Sequence, residues 1–329
     1  MITSPHGLLR RALNLPAPLM LLIGMFALHT GSALAVRAFD AVGPAGVTWL
    51  RLTWAALLLL AVGGRTLGPA IRRATPRDLG SVVILGTVSA GMMALYSEAT
   101  ARIDLGTATA LEFLGPLAVA VFALRRRREL VWIAAAAAGV LLLTRPWSGS
   151  ADLAGVGLGL AGAACVALYI LLTQRVGGSF GAVHGLGLAL AVAALVMTPF
   201  GAPPVVAAAD GRILLTTLAI ALLYPLLPFL VEMVVLQRMS RTAYSTFISL
   251  EPAISLVTGA LIIAQTPLPV QVAGMALVVV AGIGAARGDT APPPRDEARS
   301  VADPEPEAAR RPEAATAQPR STPEPEYVG

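Results

Sequence analysis

Two carboxylates in apolar segments are the residues of this sequence best suited to chemistry. Glu112 lies in TATALEFLGPLAVAVF, residues 107–122, and Glu251 lies in STFISLEPAISLVTG, residues 245–259. A charged group near the centre of a bilayer costs about 3 kcal/mol on insertion scales, so such groups usually face a bundle interior or a wet cavity. Glu112 and Glu251 are therefore predicted to bind a substrate ammonium group or to carry a proton. The alternative is an internal salt bridge or hydrogen bond that holds helices together.

Three further side chains are candidates for the same site. Arg51, in GVTWLRLTW, lies about two helical turns inside its apolar segment. Its planar guanidinium can receive a carboxylate through two parallel hydrogen bonds, although it can also snorkel to the membrane surface. Glu232 follows a pair of prolines in LLPFLVEMVV, and Tyr96 can line a cavity. Glu98 is better explained as a solvated helix end, and His29 and His184 as packed or interfacial residues.

Four prolines interrupt the predicted helices. A proline inside a helix removes a backbone hydrogen bond and frees carbonyl groups, so it can act as a hinge or contribute to a polar lining. A static kink is the simpler explanation for each one alone. The four positions are Pro116, Pro225, Pro228 and Pro252.

Composition places these residues in a membrane. The 329 residues are 56% hydrophobic and only 13% charged, with a mean hydropathy of +0.74, whereas soluble domains are about 25% charged. The long apolar runs predict an all-α polytopic membrane protein rather than a β-barrel. The single cysteine, Cys165, excludes an intramolecular disulfide and a cysteine-built metal site. No GxxxxGK[ST], HExxH or CxxC motif occurs, so we expect no cofactor, no bound metal and no nucleotide hydrolysis.

Ten apolar segments are predicted to be transmembrane helices, with nine as the main alternative count. Several of them are short, and the segment 130–144 is marginal by itself, but flanking arginines can snorkel to the membrane surface. The first could also pass for a signal peptide, because small residues end it. The approximate limits of the ten segments are 19–36, 44–63, 79–98, 104–124, 130–144, 153–173, 182–199, 213–237, 242–264 and 268–286.

The arginines give an orientation. If the ten segments all cross, fourteen loop arginines fall on the side of the N-terminus and four on the other side. This positive-inside bias predicts that both termini are cytoplasmic. The arginines lie between the spans rather than on one face, which argues against a nucleic-acid partner.

The two acidic segments indicate a duplication. When Pro116 is aligned with Pro252, each half contains five spans and the proline falls in the fourth of each. An odd number of spans inverts the second half, which is typical of secondary transporters with a site near the midplane between the repeats. We therefore predict a cytoplasmic N-terminus at 1–14, five-helix repeats at 15–145 and 152–286, and a disordered cytoplasmic tail at 288–329.

The motifs themselves resemble a known family. The runs GVTWLRL at 46–52, ALEFLGPLAVA at 110–120, LPF at 227–229 with Glu232 and Met233, and LEPA at 250–253 resemble the EamA-like transporters of the drug/metabolite transporter superfamily. They are most similar to the threonine/homoserine exporter branch. The similarity covers about residues 15–286. It implies ten helices in two inverted repeats, with both termini cytoplasmic.

The resemblance also implies an activity. It is export of amino acids or related small metabolites across the bacterial cytoplasmic membrane, coupled to proton entry and without catalysis. In this interpretation Glu112, Glu251, Glu232, Arg51, Phe113 and Tyr96 contact the substrate, and the protein is a monomer or homodimer in contact with lipid. Efflux of drugs or lipophilic cations is the alternative. Where the branch commonly has Gly-Glu-Thr after the ninth span, this chain has Ala264-Gln265-Thr266, which loses a carboxylate.

The orientation predicts the result of reporter fusions. Alkaline phosphatase fused after Gly329 should be inactive in cells, because the arginine distribution places the C-terminus in the cytoplasm. The same enzyme fused after residue 148, in a predicted outer loop, should be active and serves as the control. An active fusion at Gly329 would contradict the orientation.

Overall fold

The computed structural model describes residues 15–124, 130–148, 152–180, 182–208, 210–236 and 238–288. The predicted N-terminal segment 1–14 lies outside these residues, and so does the predicted tail apart from Gly288. The described chain is helical and contains no strand. Its helices are α1 (Ala17–Arg73), α2 (Pro76–Thr100), α3 (Leu105–Leu124), α4 (Leu130–Thr144), α5 (Leu153–Phe180), α6 (Ala182–Ala208), α7 (Gly211–Ala221), α8 (Leu227–Val235), α9 (Arg241–Ile248), α10 (Glu251–Ile263) and α11 (Pro269–Gly288).

The first helix is too long to be one membrane crossing. Its apolar part runs for 48 residues, from Ala17 to Gly64, whereas a bilayer needs about 20. Gly43 divides it into two arms, 17–42 and 44–63, since its backbone lies at φ 71° and ψ 168°. That conformation favours glycine, which carries no Cβ. The predicted loop between the first two spans is thus reduced to the break at Gly43.

Two later crossings are each made of two helices. A single π-helical turn, Leu222–Leu226, joins α7 to α8, and Tyr224 within it has an extended backbone. The helices α9 and α10 are separated by Ser249 and Leu250. The pairs α7–α8 and α9–α10 occupy the predicted spans 213–237 and 242–264.

The described chain supplies ten crossings. Eight of its helical segments are long and apolar enough to span a bilayer by length and composition. Because Gly43 divides the first of these and α3 adds a shorter apolar helix, Leu105–Val119, the count reaches ten. The prediction of an all-α polytopic membrane protein is confirmed. Two limits were wrong. The α5 helix continues to Phe180 instead of ending at residue 173. The α6 helix continues to Ala208 through three prolines instead of ending at residue 199, because proline is tolerated in helices that neighbouring helices support.

Helices from the two halves of the chain pack against each other in matching pairs. The α2 helix packs on α5, and α1 packs on α7 and α8; α3 packs on α10, and α4 on α11. These are the contacts expected of two five-helix units related by a two-fold axis in the membrane plane. The limits 15–145 and 152–286 for those units stay a prediction.

Glycines allow the closest of these approaches. A methyl group on Gly139 of α4 would lie 2.7 Å from the carbonyl oxygen of Gly274 on α11, and a methyl group on Gly274 would lie 2.7 Å from the carbonyl oxygen of Gly139. Small residues of this kind let helix backbones approach closely in lipid, where van der Waals packing drives association.

The close contact between α4 and α11 at Gly139 and Gly274 predicts the effect of adding one methyl group there. Gly274→Ala should lower the stability of the detergent-solubilised protein by about 1–3 kcal/mol, because the packed backbones must separate. The thermal midpoint, followed by fluorescence-detected size exclusion, measures the loss. Gly157→Ala is the matched control, since no atom lies within 4 Å of its added methyl. An equal midpoint for the two variants would contradict the packing.

Candidate functional site

A cavity of about 600 Å³ lies between the two halves of the bundle. Its lining residues come from α1, α2, α3, α5, α8, α9, α10, α11 and the π-helical turn, on the side of the bundle where α1 begins and α11 ends. The volume is within the range of small-molecule sites, about 300–1,000 Å³. Most of the lining is apolar, and carboxylates, tyrosines and a histidine interrupt it. The cavity therefore suits a small molecule that carries both apolar and charged groups.

All three predicted acidic residues line this cavity. Glu112 projects from α3, Glu251 begins α10, and Glu232 lies on α8. Glu112 interacts electrostatically with Glu251 and with Arg51, and Glu251 interacts with Glu232. Glu232 accepts a hydrogen bond of 2.5 Å from the Tyr244 hydroxyl. The cavity thus brings together carboxylates that lie up to 139 positions apart in the sequence.

A histidine that the sequence interpretation set aside lies against one of these acids. His29 Nε2 is 3.6 Å from Glu251 Oε1, and His29 lines the cavity although its side chain is only 1% exposed. Within the described residues neither ring nitrogen has a hydrogen-bond partner. A histidine alone in an apolar run usually packs without function, so its sequence context gave no strong signal. The available signal was its position in a transmembrane helix, where ionisable residues are functional candidates by default.

Arg51 lies behind the cavity wall. Of the described residues, Arg51 is not among those that line the cavity; its guanidinium carbon lies 4.3 Å from the ring centroid of Tyr224, which does line it. The side chain is 1% exposed, and its Nε and Nη2 have no hydrogen-bond partner among the described residues. These two nitrogens form one edge of the guanidinium, the edge that can bind a carboxylate through two bonds. Tyr224, which lines the cavity, therefore covers one face of a guanidinium whose Nε–Nη2 edge is unpartnered among the described residues.

Tyr96 and Phe113 both line the cavity. The Tyr96 hydroxyl lies 2.9 Å from Thr109 Oγ1, and Thr109 Oγ1 lies 2.7 Å from Ser255 Oγ. Ser255 also donates to the Leu105 carbonyl oxygen at 3.2 Å. These contacts join α2 and α3 to α10 at the end of the cavity farthest from the start of α1.

Gln265, at the position where the branch commonly has glutamate, caps a helix outside the cavity lining. Its Oε1 accepts a hydrogen bond of 3.0 Å from the backbone N–H of Leu105, the first residue of α3. The first N–H groups of a helix have no partner within the helix. The amide oxygen therefore replaces one function of a carboxylate at this position, the acceptor function.

The four prolines have different surroundings. Pro116 lies inside α3 and lines the cavity, and Pro225 lies in the π-helical turn. Pro228 is in the first turn of α8, and Pro252 is in the first turn of α10. Proline is favoured at such helix starts, where its missing N–H costs nothing. Pro228 and Pro252 thus begin new helices rather than bending continuous ones.

Comparison with known proteins shows the family of the chain. A family model described as the EamA-like transporter family matches residues 153–286. The threonine/homoserine exporter RhtA of Salmonella typhimurium strain LT2 is 34% identical over 272 residues, 81% of this chain and 90% of that protein. RhtA of Escherichia coli strain K12 is 33% identical over 283 residues, 85% of this chain and 94% of that protein. The chain belongs to the EamA-like transporter family. The resemblance of its motifs to that family is confirmed.

A crystal structure of a protein shares the fold. It aligns with a TM-score of 0.55 at 18% identity and covers 87% of this chain and 99% of its own. At this identity the likeness concerns the arrangement of helices alone. It agrees with the all-helical EamA-like architecture.

The hydrogen bond from the Leu105 N–H to Gln265 predicts how replacement of Gln265 changes the stability. Gln265→Leu should lower stability by about 1 kcal/mol, because the Leu105 N–H loses its acceptor. Gln265→Glu should preserve stability, since a carboxylate is favourable at a helix N-terminus. Thermal midpoints in detergent measure both. If Gln265→Leu were as stable as the parent protein, the hydrogen bond would contribute nothing.

Proposed function

We propose that this protein is a secondary transporter that exports threonine, homoserine or related small amino acids across the bacterial cytoplasmic membrane, with a proton as the coupling ion. The observation that carries the proposal is the pairing of opposite charges around one cavity. Glu112 and Glu251 line it, and the unpartnered edge of Arg51 lies behind Tyr224. A free amino acid carries both complementary charges. The two relatives named as threonine/homoserine exporters support the choice of substrate.

In this proposal, each charged group of the substrate binds a side chain of opposite charge. The ammonium group binds the carboxylate of Glu112, with Glu251 nearby. The carboxylate group binds the Nε–Nη2 edge of Arg51, which gives this buried edge the partner that it otherwise lacks. Tyr224 must first move from the guanidinium face. Its extended backbone within the π-helical turn interrupts the helix at the residue that has to move.

The position of the cavity supports loading of substrate from the cytoplasm. The cavity lies on the side of the bundle where α1 begins, which the arginine distribution predicts to be cytoplasmic. We therefore assign the structure to a cytoplasm-facing state of two inverted repeats, 15–145 and 152–286, with both termini inside. Loading from the cytoplasm is the first step of an exporter.

We propose no enzymatic activity for this chain. The sequence at 177–181, GGSFG, fits the GxSxG pattern of hydrolases. That motif works where a sharp strand-to-helix turn exposes the serine, whereas residues 177–180 here continue α5. The pattern therefore lacks the backbone geometry of a nucleophile.

A second candidate function is efflux of lipophilic cations. The cavity favours it in one respect, because carboxylates and aromatic rings line it while Arg51 lies behind Tyr224. The two functions differ in their need for Arg51, since a cation has no use for a carboxylate receptor.

Substitution of Glu112 and Arg51, the residues proposed to bind the two charged groups of the substrate, tests the proposed function. Glu112→Gln and Arg51→Lys should each lower export of labelled threonine from loaded cells by about tenfold or more. Glu112→Gln leaves the ammonium group of the substrate without its charged partner. Arg51→Lys removes the two parallel hydrogen bonds to the carboxylate group of the substrate. Lysine keeps the charge of Arg51 but loses the planar edge.

Glu98→Gln is the matched control for Glu112→Gln. Glu98 pairs with Arg102 at 2.6 Å near the end of α2 and does not line the cavity, so export should stay near the parent rate. Export by Glu112→Gln at the parent rate would remove Glu112 from the mechanism. Efflux of tetraphenylphosphonium that is insensitive to Arg51→Lys, together with no threonine export by the parent protein, would favour the second function.

A further inference from the structure

His29 is an ionisable residue of the cavity lining to which the proposed substrate contacts give no role. Its imidazole lines the cavity from the first arm of α1 and is 1% exposed, and neither ring nitrogen has a hydrogen-bond partner among the described residues. Buried polar groups in proteins are almost always hydrogen-bonded, so an unpartnered one needs an explanation. Glu251 Oε1, 3.6 Å from Nε2, is slightly too far for a hydrogen bond in this state.

The charges around His29 leave the cavity short of positive charge. Three carboxylates line it, those of Glu112, Glu232 and Glu251. Of the arginines that the structure describes, Arg51 interacts with Glu112 from behind the wall. If all these groups were ionised, the region would carry two uncompensated negative charges. Buried charge without a partner is strongly unfavourable. A zwitterionic substrate adds no net charge, so proton uptake is the remaining way to reduce the imbalance.

The ionisable groups around His29 indicate which side chains take up that proton. Glu112 is the residue proposed to bind the substrate ammonium, and Glu232 is hydrogen-bonded to the Tyr244 hydroxyl. The other titratable groups that line the cavity near His29 are phenols, from Tyr96 on α2, Tyr169 on α5 and Tyr224 in the π-helical turn. Phenols keep their proton at neutral pH. Glu251, which is 26% exposed, is the acid closest to His29.

We propose that His29 and Glu251 together form the binding site of the coupling proton, and that a proton on this pair and the substrate ammonium exclude each other. This inference rests on the proposed function. With a proton, the pair consists of an imidazolium beside a carboxylate, which is neutral overall and can close the 3.6 Å gap to a charge-assisted hydrogen bond. Without it, the neutral imidazole leaves Glu251 as a free carboxylate.

The protonated and the deprotonated His29–Glu251 pair differ in their interaction with an ammonium group. The deprotonated pair attracts it to Glu251, whereas the imidazolium of the protonated pair repels it and occupies the carboxylate. Loading of substrate on the cytoplasmic side therefore requires release of the proton to water. Proton binding on the opposite side then displaces the substrate. This exclusion at one site is sufficient for exchange of one proton for one amino acid.

Transport in proteoliposomes made with the purified full chain tests the proposal. Labelled threonine is followed in two assays, exchange at equal pH on both sides and accumulation driven by an acid interior. For the parent protein we expect accumulation above the exchange level. His29→Asn should lower the ratio of driven accumulation to exchange by about fivefold or more, the lower range of coupling between two sites. Glu251→Gln should lower it as well.

His184→Asn is the matched control. His184 lies on α6 beside Gly63 and does not line the cavity, so the ratio should equal that of the parent. A parent-like ratio in His29→Asn would overturn the proposal. So would accumulation driven by a sodium gradient and not by the pH gradient.

The pH dependence of the parent protein gives a second readout that needs no variant. The threonine concentration that half-saturates exchange should rise about fivefold or more between about pH 8 and about pH 6, since the proton competes with the ammonium. A constant value would overturn the proton site. Absence of any threonine exchange by the parent would instead contradict the proposed function, so the two failures are distinguishable.

Discussion

The cost of holding charge away from water is the constraint on which this structure depends. Three carboxylates and an arginine that is 1% exposed lie within a bundle whose outer face is apolar, with side chains such as Leu195 and Leu261 largely exposed. Charges of this kind are tolerated in a membrane only when they face a bundle interior or a wet cavity. The two halves of the chain therefore have to meet around the acids, and the cavity of about 600 Å³ is the space between them.

Broken helices are the second requirement of such a site. Two crossings contain an interruption, at the π-helical turn before α8 and at the two residues between α9 and α10. Glu251 begins α10 directly after the second interruption, where the positive end of the helix dipole favours a carboxylate. Irregular backbone is tolerated at membrane depth only where protein or a cavity surrounds it. The interruption that places Glu251 is therefore at a site where protein and the cavity surround the irregular backbone.

Much of this could be predicted from the sequence, because a carboxylate or a proline in a run of apolar residues is conspicuous. Glu112, Glu232 and Glu251 were identified for that reason, and all three line the cavity. Two features could not be predicted. His29 becomes informative only beside Glu251, which is 222 positions away, and Tyr224 covers Arg51 only because the chain departs from a helix at that residue. Both depend on tertiary packing, which the local composition of a helix does not encode.

The far end of the cavity limits how such a protein can release its substrate. There Thr109 and Ser255, from opposite halves of the chain, share a hydrogen bond of 2.7 Å, and Gln265 caps α3 across the same boundary. A path to the other side of the membrane between α3 and α10 requires these contacts to separate. They are few and local, and each links one half to the other, so they can break together when the halves move as units. Contacts at the proposed repeat boundary can therefore both close the cavity and permit its opening.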